Sequence, residues 1–396
     1  MADLGEIVDL GEFADSARSF YADPYPVYDA LRRRGTVHHV RTPGPGPQEE
    51  LWLIVGHEAS RAAFTDPRLV KSPPWGFDDD VIGRHLLFAD APEHGRLRSL
   101  VTRAFTARRV AGLVPRIQKI TDELLDDMVP RGSADLIGAL AFPLPLVVIC
   151  ELLGVPDIDR ERFRRMSTQV VAPTSGADEA DVYVELAGFL DALIEEKSSS
   201  EPADDLLGAL IRTTAEDGDR LSPSELRGMA FLLLIAGHET TVNLIGNGVR
   251  ALLAHPGQLA ALRADMSLLD GAVEEMLRYD GPVETATIRF AAGPVEIDGV
   301  VIPADAPVLI GIASADRDPD RFPRPDDFDI RRDARGHMAF GHGIHFCLGA
   351  PLARIEGRTA IRSLLERCPD LTLDGEPDTW LPGVLMRGVR ELPVRW

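Results

Sequence analysis

Cysteine is nearly absent. The 396 residues contain only Cys150, Cys347 and Cys368, far apart in sequence. This excludes a disulfide framework and suits a reducing compartment. Positive charge is also short: 42 Lys and Arg against 63 Asp and Glu give a net charge of −21, which argues against general nucleic-acid binding. No run of about 18 apolar residues stands out, so no membrane span is expected. The opening "MADLGEIVDLGEF" is acidic and lacks the apolar region of a signal peptide. Repeats, low-complexity tracts and a linker long enough to divide the chain are missing too. What the chain has in quantity is hydrophobic residues, 45%, enough to fill a large core. The expectation is a soluble cytoplasmic protein with one domain over 1–396 and a short N-terminal tail at about 1–20.

Helical periodicity dominates, so the fold class is mainly α with a smaller β portion. "EHGRLRSLVTRAFTARRVAGL" (93–113) and "RIQKITDELLDDMV" (116–129) carry apolar residues at three-to-four spacing. "AFPLPLVVICELLGVP" reads as a buried run, and 172–181 and 198–205 read as loops. Strand signals fall at 51–55, 288–291, 295–303 and 307–313.

The longest helix starts at "SPSE" (222–225), a capping box with proline at the first helical position, and runs to about Leu253. Its middle contains "AGHETT" (236–241), where Gly237 costs about 1 kcal/mol relative to alanine. Glu239, Thr240, Thr241 and Asn243 sit beside it in an otherwise apolar helix. A weakened helix with a wet face is one reading. A local widening that admits a small ligand, with an acid and a hydroxyl to handle protons, is the other. This segment alone leaves both open.

Cys347 lies in "FGHGIHFCLGA" (340–350), and four chemistries compete for it. Zinc could use His337, His342, His345 and Cys347, but the spacing H-x4-H-x2-H-x-C lacks the paired ligands of a closed cage. A nucleophilic thiol has only the adjacent His345 as base and no oxyanion-hole signature. A phosphate loop would need G-x4-G-K-[ST], which is absent. A thiolate ligand to haem iron fits better. Gly341 and Gly343 allow the close backbone approach that a flat ring over the loop requires. The amphipathic run after Cys347 puts the sulfur near a helix N-terminus, whose N–H groups stabilise negative charge and tune a bound iron. Cys150 and Cys368 read as small core hydrophobes.

Residues Phe340, Gly341, Gly343, His345, Cys347 and Gly349 match F-G-x-G-x-H-x-C-x-G, so the chain resembles the cytochrome P-450 monooxygenases. Order and spacing hold from about Asp23 to Trp396. The resemblance is to soluble bacterial members, near macrolide hydroxylases and those that oxidise vitamin D or steroids. It implies haem b (iron protoporphyrin IX) with Cys347 as its metal ligand. "AGHETT" resembles the oxygen-binding motif, so Ala236 and Gly237 would open the helix for oxygen. Thr240 would donate a hydrogen bond there, and Glu239 would relay protons. Glu275 and Arg278 match E-x-x-R and would form a buried structural pair. His94 and Arg98 would bind a propionate, and Arg289 with His345 would complete that clamp. "DAPEH" replaces the commoner D-P-P-x-H, which costs turn rigidity but no chemistry.

The implied activity is insertion of one atom of O2 into a bulky apolar molecule, by hydroxylation or epoxidation, as in macrolide or polyketide metabolism. A steroid or vitamin D-like hydroxylase is the alternative, and a non-catalytic haem sensor is one of another class. The family position points to Leu232, Ile235, Ala236, Thr285 and the stretches 283–287 and 383–386 as the substrate pocket. Asp78, Asp79 and Asp80 could receive a cationic group at the access loop. With no flavin or iron–sulfur motif in the chain, the resemblance implies a ferredoxin and an NAD(P)H-dependent ferredoxin reductase. Arginines of 96–109, with Arg354 and Arg358, would form the docking face of a monomer.

Overall fold

A computed structural model describes residues 7–44, 49–76, 81–155, 165–167, 169–170, 179–199, 204–213, 218–375 and 379–396. Asp78–Asp80, 172–178 and 200–203 lie outside the described residues.

The helix Pro223–Ala254 runs through the middle of the molecule. Its capping box forms as the sequence predicts: Glu225 N donates to Ser222 Oγ at 3.3 Å, and Ser222 N donates back to Glu225 Oε2 at 2.7 Å. By length and hydropathy alone this helix could cross a membrane, with a mean hydropathy of 1.4 over 18 residues. That corrects the expectation of no such stretch. However, 72% of that window is buried inside the protein, as in a core helix. It stays α-helical through Ala236–Thr241, so the expected local widening is not present.

Glycine here serves close packing. A Cβ on Gly237 would lie 2.9 Å from Ile149 Cδ1, and one on Gly248 would lie 2.7 Å from Met276 Sδ. The helices Pro143–Leu153 and Leu269–Asp280 thereby approach the central helix closely. The helix Ala350–Arg367, which follows the cysteine loop, packs against it as well.

The largest sheet of the smaller β portion has six strands. From edge to edge it runs Val8–Asp9, Val37–Arg41, Glu50–Ile54, Pro307–Ile310, Arg289–Ala291, Leu69–Val70. Glu50–Ile54 pairs parallel to Pro307–Ile310, with Ile54 opposite Ile310, and antiparallel to Val37–Arg41. The expected strand 307–313 ends at Ile310, because Gly311 starts a short helix, Ile312–Asp316. The expected helix 93–113 is two helices, Glu93–Ala104 and Ala107–Gly112, since Thr106 caps the second by accepting from Arg109 N at 3.2 Å. The run 295–303 is a hairpin of Val295–Ile297 and Val300–Ile302.

Glu275 and Arg278 are both fully buried and form a bidentate pair at 2.7 and 2.8 Å. Arg278 also donates to the carbonyls of Asp316, Pro325 and Asp327, fixing the chain that leads to the cysteine loop.

Candidate functional site

Residues 340–349 form a tight loop between the sheet and the helix Ala350–Arg367. Gly341 N donates to Met338 O at 2.7 Å, and Cys347 N donates to Phe340 O at 2.9 Å. Gly341 (φ +70°) and Gly343 (φ +74°) occupy the left-handed region that glycine allows cheaply. Arg98 staples the loop, its guanidinium donating to Ile344 O at 3.0 Å and Phe346 O at 2.8 Å. Cys347 lies two residues before the N-cap Gly349, and the N–H groups of Gly349 and Ala350 point at its sulfur. Burial pushes its pKa up, against the pull of those two N–H groups. A cation bound at sulfur would reverse that balance and hold a thiolate.

The thiol opens onto a cavity of about 280 Å³. On the facing wall the central helix presents Leu232, Ala236, Gly237, Thr240 and Thr241. Apolar side chains of Leu86, Leu87, Ile149, Met229, Val283 and Ile312 close the sides. Thr240 Oγ1 donates to Ala236 O at 2.9 Å, so its lone pairs, not its proton, face the cavity. Ile235 and Thr285, expected as substrate contacts, are not among the lining residues. Ile235 is buried in the core, turned about 100° from Ala236 as consecutive helical residues are. Thr285 is buried and donates to Val384 O at 2.8 Å. The stretch 383–386 also stays off the lining, and Met386 instead backs Val283.

One rim of the cavity is basic. Arg98, Arg289, His345 and Lys71 all border it. Arg289 is buried and donates to Leu69 O at 3.1 Å, while its Nε has no partner. Lys71 is only 1% exposed, and its Nζ donates to Thr287 Oγ1 and to the carbonyls of Thr287 and Ile288. Burial drives its pKa well below the usual value, with Arg289 adding to the effect. Burial and the neighbouring His94, Lys71, Arg289 and Arg98 push His345 down to about 3. His94 does not border the cavity. It stands behind, its ring 4.3 Å from that of His345, with Nε2 unpartnered. So many basic groups facing few acids is costly without anions, and two carboxylates would relieve it. Thiol, flat glycine loop, apolar walls and basic rim together suit a planar, metal-bearing ring with acidic side arms. Lys71 was missed in the sequence because "RLVKSPP" gives no local sign that distant strands bury it.

Glu239 also departs from expectation. It is buried, off the lining, with Oε2 at 3.3 Å from His238 Nε2 and not aligned as a hydrogen bond. Several arginines of the expected docking face are ion-paired: Arg96 with Glu93 and Asp219, Arg109 with Asp204, Arg354 with Glu274, Arg358 with Asp270. Their positive field is correspondingly weaker. His337 and His342 do not join Cys347 in a metal cluster, and among the described residues no three His, Cys, Asp or Glu are placed to hold an ion.

Comparison with known proteins agrees on one family. A family profile described as "Cytochrome P450" matches residues 162–383. Cytochrome P450 monooxygenase PikC of Streptomyces venezuelae is 54% identical, covering 98% of this chain and 94% of that protein. Vitamin D(3) 25-hydroxylase of Pseudonocardia autotrophica is 47% identical over 95% of this chain and 94% of its own length. The tirandamycin C-bound P450 monooxygenase TamI superposes with a TM-score of 0.88 at 42% identity, covering 98% of this chain and 99% of that one.

Proposed function

The chain belongs to the cytochrome P450 family and is a haem-thiolate monooxygenase, and on that premise we propose that it oxidises a bulky apolar small molecule of secondary metabolism, of the macrolide or polyketide kind. The haem, when bound, supplies the oxidising chemistry, using O2, two electrons and two protons to hydroxylate a C–H bond or epoxidise a C=C bond. One observation carries the reading: Cys347 Sγ and the Ala236–Thr240 face of the central helix border a single cavity.

Each residue has a task in this reading. Cys347 would be the sulfur ligand to the haem iron, its charge held by the N–H groups of Gly349 and Ala350. Arg289, His345 and Arg98 would hold two propionates, with Lys71 on the same rim and His94 behind His345. Leu232, Ala236, Val283 and Ala286 shape the apolar substrate space and exclude water. Thr240 passes protons into the cavity once its hydroxyl leaves Ala236 O, and Glu239 supplies them after its side chain rotates from its buried position. Electrons come from a ferredoxin and its NAD(P)H-dependent reductase. The whole chain works as one unit, a cytoplasmic monomer.

A steroid or vitamin D-like substrate is the second reading, favoured by the 47% identity to the vitamin D(3) 25-hydroxylase. A spectral binding screen across macrolides, steroids and vitamin D-like compounds separates the two, followed by turnover with a ferredoxin and reductase. The proposal fails if no macrolide or polyketide shifts the spectrum while sterol-like compounds do.

A further inference from the structure

The short strand Leu69–Val70 ends where it does because of a side chain outside the sheet. It pairs antiparallel with Arg289–Ala291, Val70 opposite Phe290, so continued pairing would set Ser72 opposite Ile288. Asp90 intervenes: its Oδ1 accepts from Lys71 N at 2.8 Å and its Oδ2 from Ser72 N at 2.9 Å. Thr287 and Ile288 therefore lie outside any strand, and among the described residues no main-chain N–H reaches either carbonyl. The Lys71 side chain does. Its Nζ donates to Thr287 O at 2.6 Å and to Ile288 O at 3.1 Å, and lies 2.5 Å from Thr287 Oγ1. This contact holds whatever the charge on the amine. An ammonium has three protons for the three oxygens, and a neutral amine has two for the carbonyls and accepts from the Thr287 hydroxyl. Because Lys71 is buried, water does not compete for these bonds.

The residues held in this way belong to the cavity wall. Ala286 and Thr287 border the apolar space, and Arg289 borders the basic rim. On one side the chain is fixed by Ala286 N, which donates to Ile310 O at 2.9 Å. On the other it is fixed by the pairing of Arg289 with Val308. Between those two points Lys71 is what holds the carbonyls in place. We propose that Lys71 is a positioning residue: its amine fixes Thr287 and Ile288, and so sets where the Ala286–Thr287 wall meets a substrate. This rests on the reading of the cavity as a haem and substrate site. Lys71 thereby differs from Arg289, its neighbour on the rim, whose Nε has no partner. The polar end of Lys71 is spent on protein oxygens, so its effect falls on the substrate side and not on the side arms of the ring.

Lys71→Met keeps an unbranched, apolar stem at this position and removes the amine, and the test uses the haem-loaded protein. Imidazole and 4-phenylimidazole both bind haem iron through a ring nitrogen, but only the second carries a ring long enough to meet the wall. In spectral titrations Lys71→Met should bind 4-phenylimidazole about three- to tenfold more weakly, the worth of one hydrogen bond, and imidazole as the wild type does. Amide hydrogen exchange should quicken in peptides over 284–291 and stay unchanged in the helix Glu93–Ala104, which general destabilisation would not produce. Unchanged 4-phenylimidazole affinity with unchanged exchange overturns the proposal, and so does an equal loss of affinity for both ligands. Haem transfer to an apo-globin that quickens in Lys71→Met while 4-phenylimidazole affinity stays the same also overturns it, because Lys71 would then serve the side arms of the ring. Should Lys71→Met not fold, Lys71→Gln, whose side chain is one bond shorter, takes its place and the same readouts decide. A wild type that shows no spectral shift with imidazole is a different failure: the haem reading itself is then at fault.

Discussion

Replacing Arg278 with methionine should destabilise the protein by about 3–5 kcal/mol, the cost of breaking a buried ion pair from one side. All five N–H donors of Arg278 are used: Nε and Nη2 on Glu275, the rest on the carbonyls of Asp316, Pro325 and Asp327. Methionine fills much of the volume, so the loss is electrostatic and not a cavity. Glu275 would keep only Asp329 N at 3.0 Å and Arg332 Nε at 3.2 Å, both on Oε1, leaving Oε2 bare at a site with no solvent access. Three carbonyls lose donors at the same time, which places the effect toward the upper end of the range. Lysine cannot restore it, because one ammonium group cannot reproduce the guanidinium fork. Urea unfolding of the holoprotein, followed by far-ultraviolet circular dichroism and Soret absorbance, measures the change. The Glu275→Met/Arg278→Met double variant should lose less than the sum of the singles. A loss below about 1 kcal/mol for Arg278→Met, or additive singles, would refute the reasoning.

Three further outcomes follow from the same geometry. Gly228→Ala puts a Cβ 2.3 Å from the carbonyl oxygen of Arg84, so it should cost about 1–3 kcal/mol. It should also weaken substrate binding, since Leu86 and Leu87 of the displaced segment line the cavity, and spectral titration would show it. Neither carboxyl oxygen of Glu356 has a well-aligned hydrogen bond, and burial pushes its pKa up from 4.5 to about 8 against the opposing pull of the Thr241 hydroxyl. Its folded-state pKa is raised, so the stability it contributes is complete below about 4.5 and is lost as pH climbs through about 8. Glu356→Gln should flatten that alkaline decline by about 1–3 kcal/mol, read as urea midpoints at acidic and alkaline pH; an unchanged slope sinks the assignment. Arg289→Leu should speed haem transfer to an apo-globin by roughly ten- to a hundredfold, from about 1.5–3 kcal/mol per hydrogen bond to a charged group, and an unaltered rate counts against the basic rim.

What local chemistry determines could be read ahead of the structure. The capping box of Ser222 and Glu225 is built from residues three apart, and it forms as written. The loop around Cys347 is likewise specified by its own glycines. Facing is harder, because a motif contiguous in sequence is spread around a helix. Thr240 and Ala236 turn to the cavity, whereas Glu239 and Ile235 turn to the core, although the four lie within six residues. Gly237 shows the same limit: its missing side chain makes room for Ile149 on another helix, which no local pattern reveals. Lys71 and Thr285 owe their settings to strand and loop partners more than 90 residues away. Thr106 looked like part of one apolar helical run, but a cap breaks periodicity without altering it much.

The most direct measurement is the absorption spectrum of the reduced, CO-treated protein, compared with that of Cys347→Ser. Thiolate ligation by Cys347 predicts a strongly red-shifted Soret band in the wild type that disappears in the variant. A histidine-type Soret position in the wild type, or a thiolate-type band that survives in Cys347→Ser, would contradict it.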